Sequence, residues 1–467
     1  MYISRRSMLA LGCVLTLSGC AAPSPSQGSA EKNTRSVWPT GKVLMSAELD
    51  RATPTRDATA TNMVLDAGTL YVAGGDTILR LDAADDEVLA SRRFEGITRG
   101  AARIALAGDV LVVALGDGSL VGLARDGLDI LWRQKLDFSQ AVWSSTTTQD
   151  ADGATRTDAN LADALWYVTS IAANGEVACV GFSSYQTDPG SYVVCVDTAS
   201  GVPCWQREYP GRLCFRWGVS HPCLTAFGLL VPVPEDRGVQ LLDLASGSEL
   251  ARLDTPPIGM GFRHVERDGR SSWVTQALDG TVLFVGIGDD GALHLERSIT
   301  VPGPEGEGVL PSSAAPVAMG DYLLCNRPVS RVPYGDGSLV PDEETPGSVV
   351  CMRLDTGEVV DEFDRFSFDA TPTVLMAAGA GDERGVVAPG SDGAGAAATG
   401  EVRLALLQDD GLWLLPYEDG AFGNPTLLTD EVCLGMSDAD GALAVGDDGV
   451  LHLACGTIDR TAFYAIG

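Results

Sequence analysis

The sequence predicts an all-β fold, and three observations carry that prediction. Short apolar runs of β-branched and aromatic residues recur along most of the chain, helical periodicity is scarce, and Asp-Gly occurs twelve times between such runs. Asp-Gly between alternating apolar segments is the preferred sequence of a type I′ hairpin, whose two central residues both take positive φ. These aspartates are therefore read as turn residues. No stretch carries the regular oxygen ligands and closing glutamate of a calcium-binding loop.

The runs are copies of one unit. It comprises a β-rich run, a turn with Gly, a second run ending near an aspartate, another turn with Gly, and a third run. Leu70 to Asp82 states it first. Val110 to Leu136, Tyr192 to Tyr209, Val239 to Leu253, Val282 to Ile299 and Val349 to Phe363 repeat it, and Leu412 to Tyr417 and Phe463 to Gly467 are weaker copies. The best-defined turns read Asp197-Thr-Ala-Ser-Gly201-Val-Pro-Cys-Trp205 and Asp355-Thr-Gly357-Glu-Val-Val.

An apolar strand ending in Asp, then Thr or Ser with Gly, then a large apolar residue or Trp, resembles the PQQ-type β-propeller repeat. The resemblance covers residues 40 to 467 and implies blades of four antiparallel strands around an axis. The repeat's anchor falls at 82, about 125, 197, 243, 288, 355, 417 and about 466, the copies at 288 and 417 lacking the aspartate. Steps near 45 residues suit one blade each, and the longer ones coincide with polar inserts at 145–165, 327–347 and 379–400. Eight anchors predict eight blades, with seven as the alternative. Trp132 and Trp205 fall at the repeat's large-apolar position, which assigns them to packing between blades.

The final copy stops at Gly467, and Thr40-Gly41-Lys42-Val43-Leu44 supplies the glycine and outer strand it lacks. Residues 40–49 are thus expected to pair with residues 461–467, so that strands from both termini close the ring without unpaired edges.

Ahead of this, Arg5 and Arg6 precede an apolar run from Met8 that ends in Leu17-Ser18-Gly19-Cys20. A basic segment, a short apolar segment and small residues before a cysteine form an export signal, too short to span a bilayer. It resembles a bacterial lipoprotein signal peptide, which implies cleavage before Cys20 and acylation of that cysteine. Arg5 and Arg6 are also similar to the pair in a twin-arginine export signal. The expected organisation is a signal peptide at 1–19, a flexible Pro/Ser-rich tether at 20–36 and the propeller at 37–467. Two or three acyl chains would anchor the protein stably to the cell membrane or an outer membrane, facing out of the cytoplasm.

The chain carries a formal charge of −31, which becomes −33 when Arg5 and Arg6 leave with the signal. Such a surface repels phosphate backbones and anionic lipid heads, which disfavours nucleic-acid partners.

Chemistry is sparse. The quinoprotein dehydrogenases that share the PQQ-type repeat carry a ring formed by adjacent cysteines, and this chain has no Cys-Cys pair. Gly-x-Ser-x-Gly, His-Glu-x-x-His, the phosphate loop and Cys-x-x-Cys are all absent. His221, His264, His294 and His452 are far apart in sequence, and His294 and His452 read as outward positions of comparable strands. No catalytic residue, cofactor or metal ligand is assigned.

Nine cysteines remain after Cys13 and Cys20, an odd number for an exported chain. Cys179 with Cys195, and Cys325 with Cys351, lie on successive strands of their repeats, while Cys204 and Cys214 flank a hairpin at Pro210-Gly211. Disulfides and buried core thiols are both open readings. Trp143 and Trp166 flank the 145–165 insert and are the candidate partner contacts.

The functional expectation is a monomeric, lipid-anchored scaffold for a protein or peptide partner in the cell envelope. In architecture it resembles the BamB lipoproteins of the outer-membrane β-barrel assembly machinery, which implies a place in envelope protein assembly. An exported enzyme or small-ligand receptor using the axial pocket is one alternative. A purely structural envelope lipoprotein is another.

Overall fold

The computed structural model describes residues 38–467 apart from 51–61, 95–101, 137–143, 150–154, 161–165, 185–190, 304–308, 311–315, 334–338, 342–346, 367–372, 378–385, 388–401, 432–441 and stretches of one to four residues elsewhere. Arg5, Arg6, Cys20 and Trp143 lie outside the described residues. Val37–Gly467 forms one compact unit.

That unit is a ring of eight antiparallel sheets, each with four principal strands, so the count is eight and not the alternative seven. Blade 1 holds Asn62–Asp66, Thr69–Gly74, Thr77–Asp82 and Val88–Arg93; blade 2 holds Arg103–Ala107, Val110–Ala114, Ser119–Ala124 and Ile130–Lys135. Blade 3 holds Trp166–Ala173, Val177–Ser184, Ser191–Asp197 and Pro203–Tyr209; blade 4 holds Cys223–Thr225, Gly228–Val233, Gly238–Leu242 and Glu249–Asp254. Arg263–Arg267, Arg270–Gln276, Thr281–Ile287 and Leu293–Thr300 build blade 5, and Val317–Met319, Tyr322–Asn326, Gly347–Arg353 and Val359–Phe366 build blade 6. Thr373–Ala377, Val402–Gln408, Gly411–Glu418 and Thr426–Thr429 build blade 7. Blade 8 takes Ala442–Val445, Leu451–Gly456 and Arg460–Ile466 from the C-terminus and Val43–Asp50 from the N-terminus.

Side-chain patterning follows strand position. Third strands are buried almost throughout, as at Ser191–Asp197 and Gly238–Leu242, because a neighbouring blade covers each face of the sheet. Outer strands alternate exposed and half-buried, as at Val88–Arg93, Ile130–Lys135 and Glu249–Asp254, since one face meets water. The core is correspondingly divided into clusters between blades. Tyr71, Ile78, Val113 and Val121 fill the gap between blades 1 and 2; Leu414, Leu451, Leu453 and Ile466 fill that between 7 and 8. Leu70, Leu81 and Phe463 pack blade 8 against blade 1 and so complete the circle.

Closure is carried by backbone pairing between the termini. Val43–Asp50 runs antiparallel to Arg460–Ile466, and Gly467 N–H donates to Lys42 O at 3.0 Å while Lys42 N–H donates to Gly467 O at 3.2 Å. The Thr40 hydroxyl and amide both donate to Gly467 O at 2.9 Å. Gly41 has φ +82°, and a Cβ there would sit 1.7 Å from Leu428 O of blade 7, so only glycine fits.

The Asp-Gly turns differ from the type I′ expectation. Gly118, Gly280 and Gly291 take positive φ but the aspartates before them do not; among the described Asp-Gly pairs only Asp419-Gly420 has both residues positive, at 49° and 88°. The reason is side-chain chemistry. Asp117, Asp279 and Asp290 each accept the amide two residues on, at 2.8, 2.9 and 3.0 Å, and that bond holds a turn in which glycine alone needs the left-handed region.

Asp197 and Asp243 use a related bond in the outer turns of blades 3 and 4. Each accepts a serine hydroxyl at 2.6 Å and the same serine's amide at 2.8 Å, from Ser200 and Ser246 respectively. The serine hydroxyl first, then the amide, holds both carboxyls below the ordinary carboxylate range. A depressed folded value contributes stability that is complete above the unfolded carboxylate value, near pH 4, and is lost as pH falls through the folded one. The Asp197→Asn, Asp243→Asn double variant is therefore expected to lose less stability than the parent between pH 5 and 3, read by acid titration of unfolding.

His452 also departs from expectation. It is fully buried and stacks on Phe463 at 6.0 Å, whereas His294 is exposed. The two strands are not comparable: His452 sits on the second strand of blade 8, covered on both faces, and His294 on the outer strand of blade 5.

Candidate functional site

A four-stranded meander sends its connections alternately to two ends, and this sorts the chain into two faces. Turns between first and second strands and between third and fourth strands share one face, the turn face. Connections between second and third strands, and from each outer strand to the next blade, share the other, the loop face.

The turn face is occupied by stitching between blades. Trp132 Nε1 donates to Thr198 O at 2.8 Å and its ring lies over Gly201, where a Cβ would come within 2.3 Å of it. Trp205 repeats this one blade on, donating to Leu244 O at 2.8 Å over Gly247. The inter-blade role read from the sequence for both tryptophans is what the geometry gives. In blade 1 the same reach is made by Arg92, which donates to Leu128 O at 2.8 Å, and in blade 6 by Asp361, which accepts Phe422 N–H at 2.7 Å.

Among the described residues, the loop face carries most of the additional strands. Between blades 2 and 3 rises the hairpin Ser144–Gln149 with Thr155–Asn160, and between blades 3 and 4 the short pair Cys214–Phe215 with Gly218–Val219. Val309–Leu310, entering blade 6, pairs with Val329–Pro333 from inside that blade, which in turn pairs with Leu339–Pro341. Two separate connections are thus tied into one small sheet. The described strands of the 145–165 and 327–347 inserts lie on this face, whereas the 379–400 insert falls in sequence between the first two principal strands of blade 7, largely outside the described residues. Trp166 begins the inner strand of blade 3 at its loop-face end.

Inner strands carry a different set of charged groups. Arg103 is buried at the head of blade 2's inner strand, and Arg263 is half-buried at the head of blade 5's, where desolvation lowers its pKa. Asp66, at the turn-face end of blade 1, is ion-paired to Arg125. Among the described residues, no group of three or more His, Cys, Asp or Glu is placed to hold a metal ion.

The cysteine pairs separate cleanly. Cys179 and Cys195 are directly opposite in adjacent strands, both fully buried, with sulfurs 3.2 Å apart. Cys325 lies opposite Val350, and Cys351 opposite Leu324. This one-residue offset turns the two thiols to opposite faces of blade 6, into different core clusters, so their pairing fails the facing condition. Cys351 instead meets Tyr417 Oη at 3.6 Å. Cys204 is exposed; the side chain of Cys214, its suggested partner, lies outside the described residues.

With eight blades, docked tryptophans and interlocked termini in place, the chain is defined as an eight-bladed β-propeller. The family model described as outer membrane protein assembly factor BamB matches residues 34–161. That match reaches from the closing strand into the first loop-face insert.

Similar solved structures share the fold at low identity. BamB from Moraxella catarrhalis is 14% identical, with 91% of this chain and 99% of that chain covered and a TM-score of 0.49. The quinohemoprotein alcohol dehydrogenase ADHIIG from Pseudomonas putida HK5 is 11% identical over 91% of this chain and 76% of that one, with a TM-score of 0.55. Sqt1 from Saccharomyces cerevisiae is 9% identical over 90% and 98%, at 0.51. No curated protein sequence matches the chain. Shared fold at such identity does not fix function, which has to be argued from the faces.

Proposed function

We propose that this protein is a lipid-anchored scaffold of the cell envelope that binds a protein partner through its loop face and serves envelope protein assembly. The observation that carries the reading is the match of residues 34–161 to the BamB family model. The distribution of structure supports it. Turn-face groups are committed to holding neighbouring blades together, while the loop face carries a hairpin and a tied pair of connections that the propeller itself does not require. Cys20 would carry the lipid, with residues 20–36 as tether. The mature charge of −33 left once Arg5 and Arg6 are removed favours a partner with a basic contact surface, whose association slows as salt rises.

Two measurements test this reading. Replacing Cys20 with Ser should abolish metabolic lipid labelling and release the chain from membranes; an acylated, membrane-bound Cys20→Ser chain would overturn the anchor. Crosslinking and pull-down from intact membranes should recover a discrete protein partner, and its recovery should be unchanged when the insert at 379–400, between the first two strands of blade 7, is shortened.

Arg103 and Arg263 at the heads of two inner strands favour a second reading, in which an anionic small ligand enters the axis. Purified protein given quinone and calcium is expected to show no alcohol or sugar oxidation. Turnover, or a small molecule copurifying stoichiometrically, would replace the scaffold by this second reading.

A further inference from the structure

Blade 3 gathers three cysteines on its second, third and outer strands, and the sequence alone pairs only two of them. Cys179 and Cys195 face each other across the second and third strands. The register between the third and outer strands breaks between Cys195 and Val196: Cys195 lies opposite Trp205, and Val196 opposite Pro203. Cys204 is the extra residue of this bulge, and it is exposed while both its neighbours in the trio are fully buried. Bulges re-aim a side chain. This one places Cys204 beside the Cys195–Trp205 pair, and Cys195 contacts Cys179 at 3.2 Å. Cys195 is therefore the middle sulfur of a chain running from solvent to core.

We propose that Cys204, Cys195 and Cys179 form a thiol–disulfide exchange relay, in which the exposed Cys204 exchanges with an external disulfide and passes oxidation to a buried Cys179–Cys195 bond. The oxidant is a low-molecular-weight or protein disulfide. Cys204 thiolate attacks one of its sulfurs, forming a mixed disulfide and expelling one thiolate. Cys195 then attacks the Cys204 sulfur, forming a Cys195–Cys204 bond and expelling the second thiolate. Two cysteine thiols have lost two electrons, and their two protons end on the two thiols released. Attack of Cys179 on Cys195 moves the bond into the core and returns Cys204 to the free thiol, with no further change in oxidation state. An excess of external thiol runs the sequence backwards.

Geometry permits each end state. Directly opposed antiparallel residues have Cα atoms about 4.5–5.5 Å apart, within the range that disulfides span. Closing the observed sulfur separation to a bond needs an approach of about 1 Å. The thiol chemistry has the matching order. Hydrogen bonds, the first from Cys179, favour the thiolate at Cys195, the sulfur that must act as second nucleophile. The Cys179 thiol is pushed up by the bond it donates to Cys195 and by burial, and desolvation lifts Cys204. Exchange starting at Cys204 should therefore accelerate as pH rises above neutrality.

The test uses the purified chain without its signal segment, incubated with oxidised dithiothreitol or oxidised glutathione, quenched with acid and mapped by non-reducing peptide analysis. The expected end product is a Cys179–Cys195 disulfide with Cys204 free. Cys204→Ser, a surface change that leaves the core intact, should form the same product at least tenfold more slowly. Cys195→Ala should accumulate glutathione on Cys204 as a stable mixed disulfide. Equal rates with and without Cys204 would overturn the relay, as would mapping that finds Cys195 unbonded after oxidation. The relay stands apart from the scaffold reading: partner capture can fail while exchange is seen, and the reverse.

Discussion

Removing residues 38–49 is expected to abolish cooperative unfolding of the propeller, whereas removing 24–34 should leave its melting unchanged. The first deletion takes away the outer strand of blade 8, the turn residues that bond Gly467, and Trp38, which is buried against Leu414, Leu451 and Ile466. At about 1 kcal/mol net for each backbone hydrogen bond, losing that strand costs about 5 kcal/mol before any packing is counted. An ordinary domain has only about 5–15 kcal/mol in total. The exposed edge at Arg460–Ile466 would also become a template for aggregation. Thermal melts of the two deletions, with light scattering followed in parallel, check the result. A point variant sharpens it: Gly41→Val forces a side chain onto Leu428 O and should reproduce much of the loss.

The second large effect is expected at the docked tryptophans. Trp205→Ala removes a hydrogen bond to Leu244 O and the ring that covers Gly247, leaving a gap between blades 3 and 4. Large-to-small changes of this kind cost about 3 kcal/mol when the site does not collapse. Gly201→Ala should be similarly costly by the reverse route, since its added Cβ would press into Trp132 on a backbone at φ +71°. Combining Trp132→Ala with Gly201→Ala should cost much less than the sum, because both act on one contact. Equilibrium denaturation of the two single variants and the double variant measures that shortfall.

Most of the architecture was readable from the sequence because it repeats. Each blade restates the same strand and turn vocabulary, so weak local signals reinforce one another, and the missing half of the last unit at Thr40 to Leu44 could be recognised by what it completes. Features set by register were not readable. Cys179 with Cys195 and Cys325 with Cys351 have the same kind of placement on neighbouring strands, yet one pair shares a face and the other is split by a single residue. The bulge that brings Cys204 to Cys195 is likewise a register event with no motif of its own. Leu-His-Leu reads alike around His452 and His294; only strand order separates a covered second strand from a solvent-facing outer one. The loop face is the least legible part. It is made from inserts outside the repeat, so nothing elsewhere in the chain reinforces their signal.

That face is also where the functional account is most directly tested. A photoactivatable crosslinking residue placed in living cells at Thr147 or Thr157, on the loop-face hairpin, should yield a discrete crosslinked protein. The same residue at Ser200 or Ser246, in the turn-face stitching, should not. Crosslinks confined to the loop face are the predicted result; no crosslink from either hairpin position, or equal crosslinks from both faces, would contradict the scaffold.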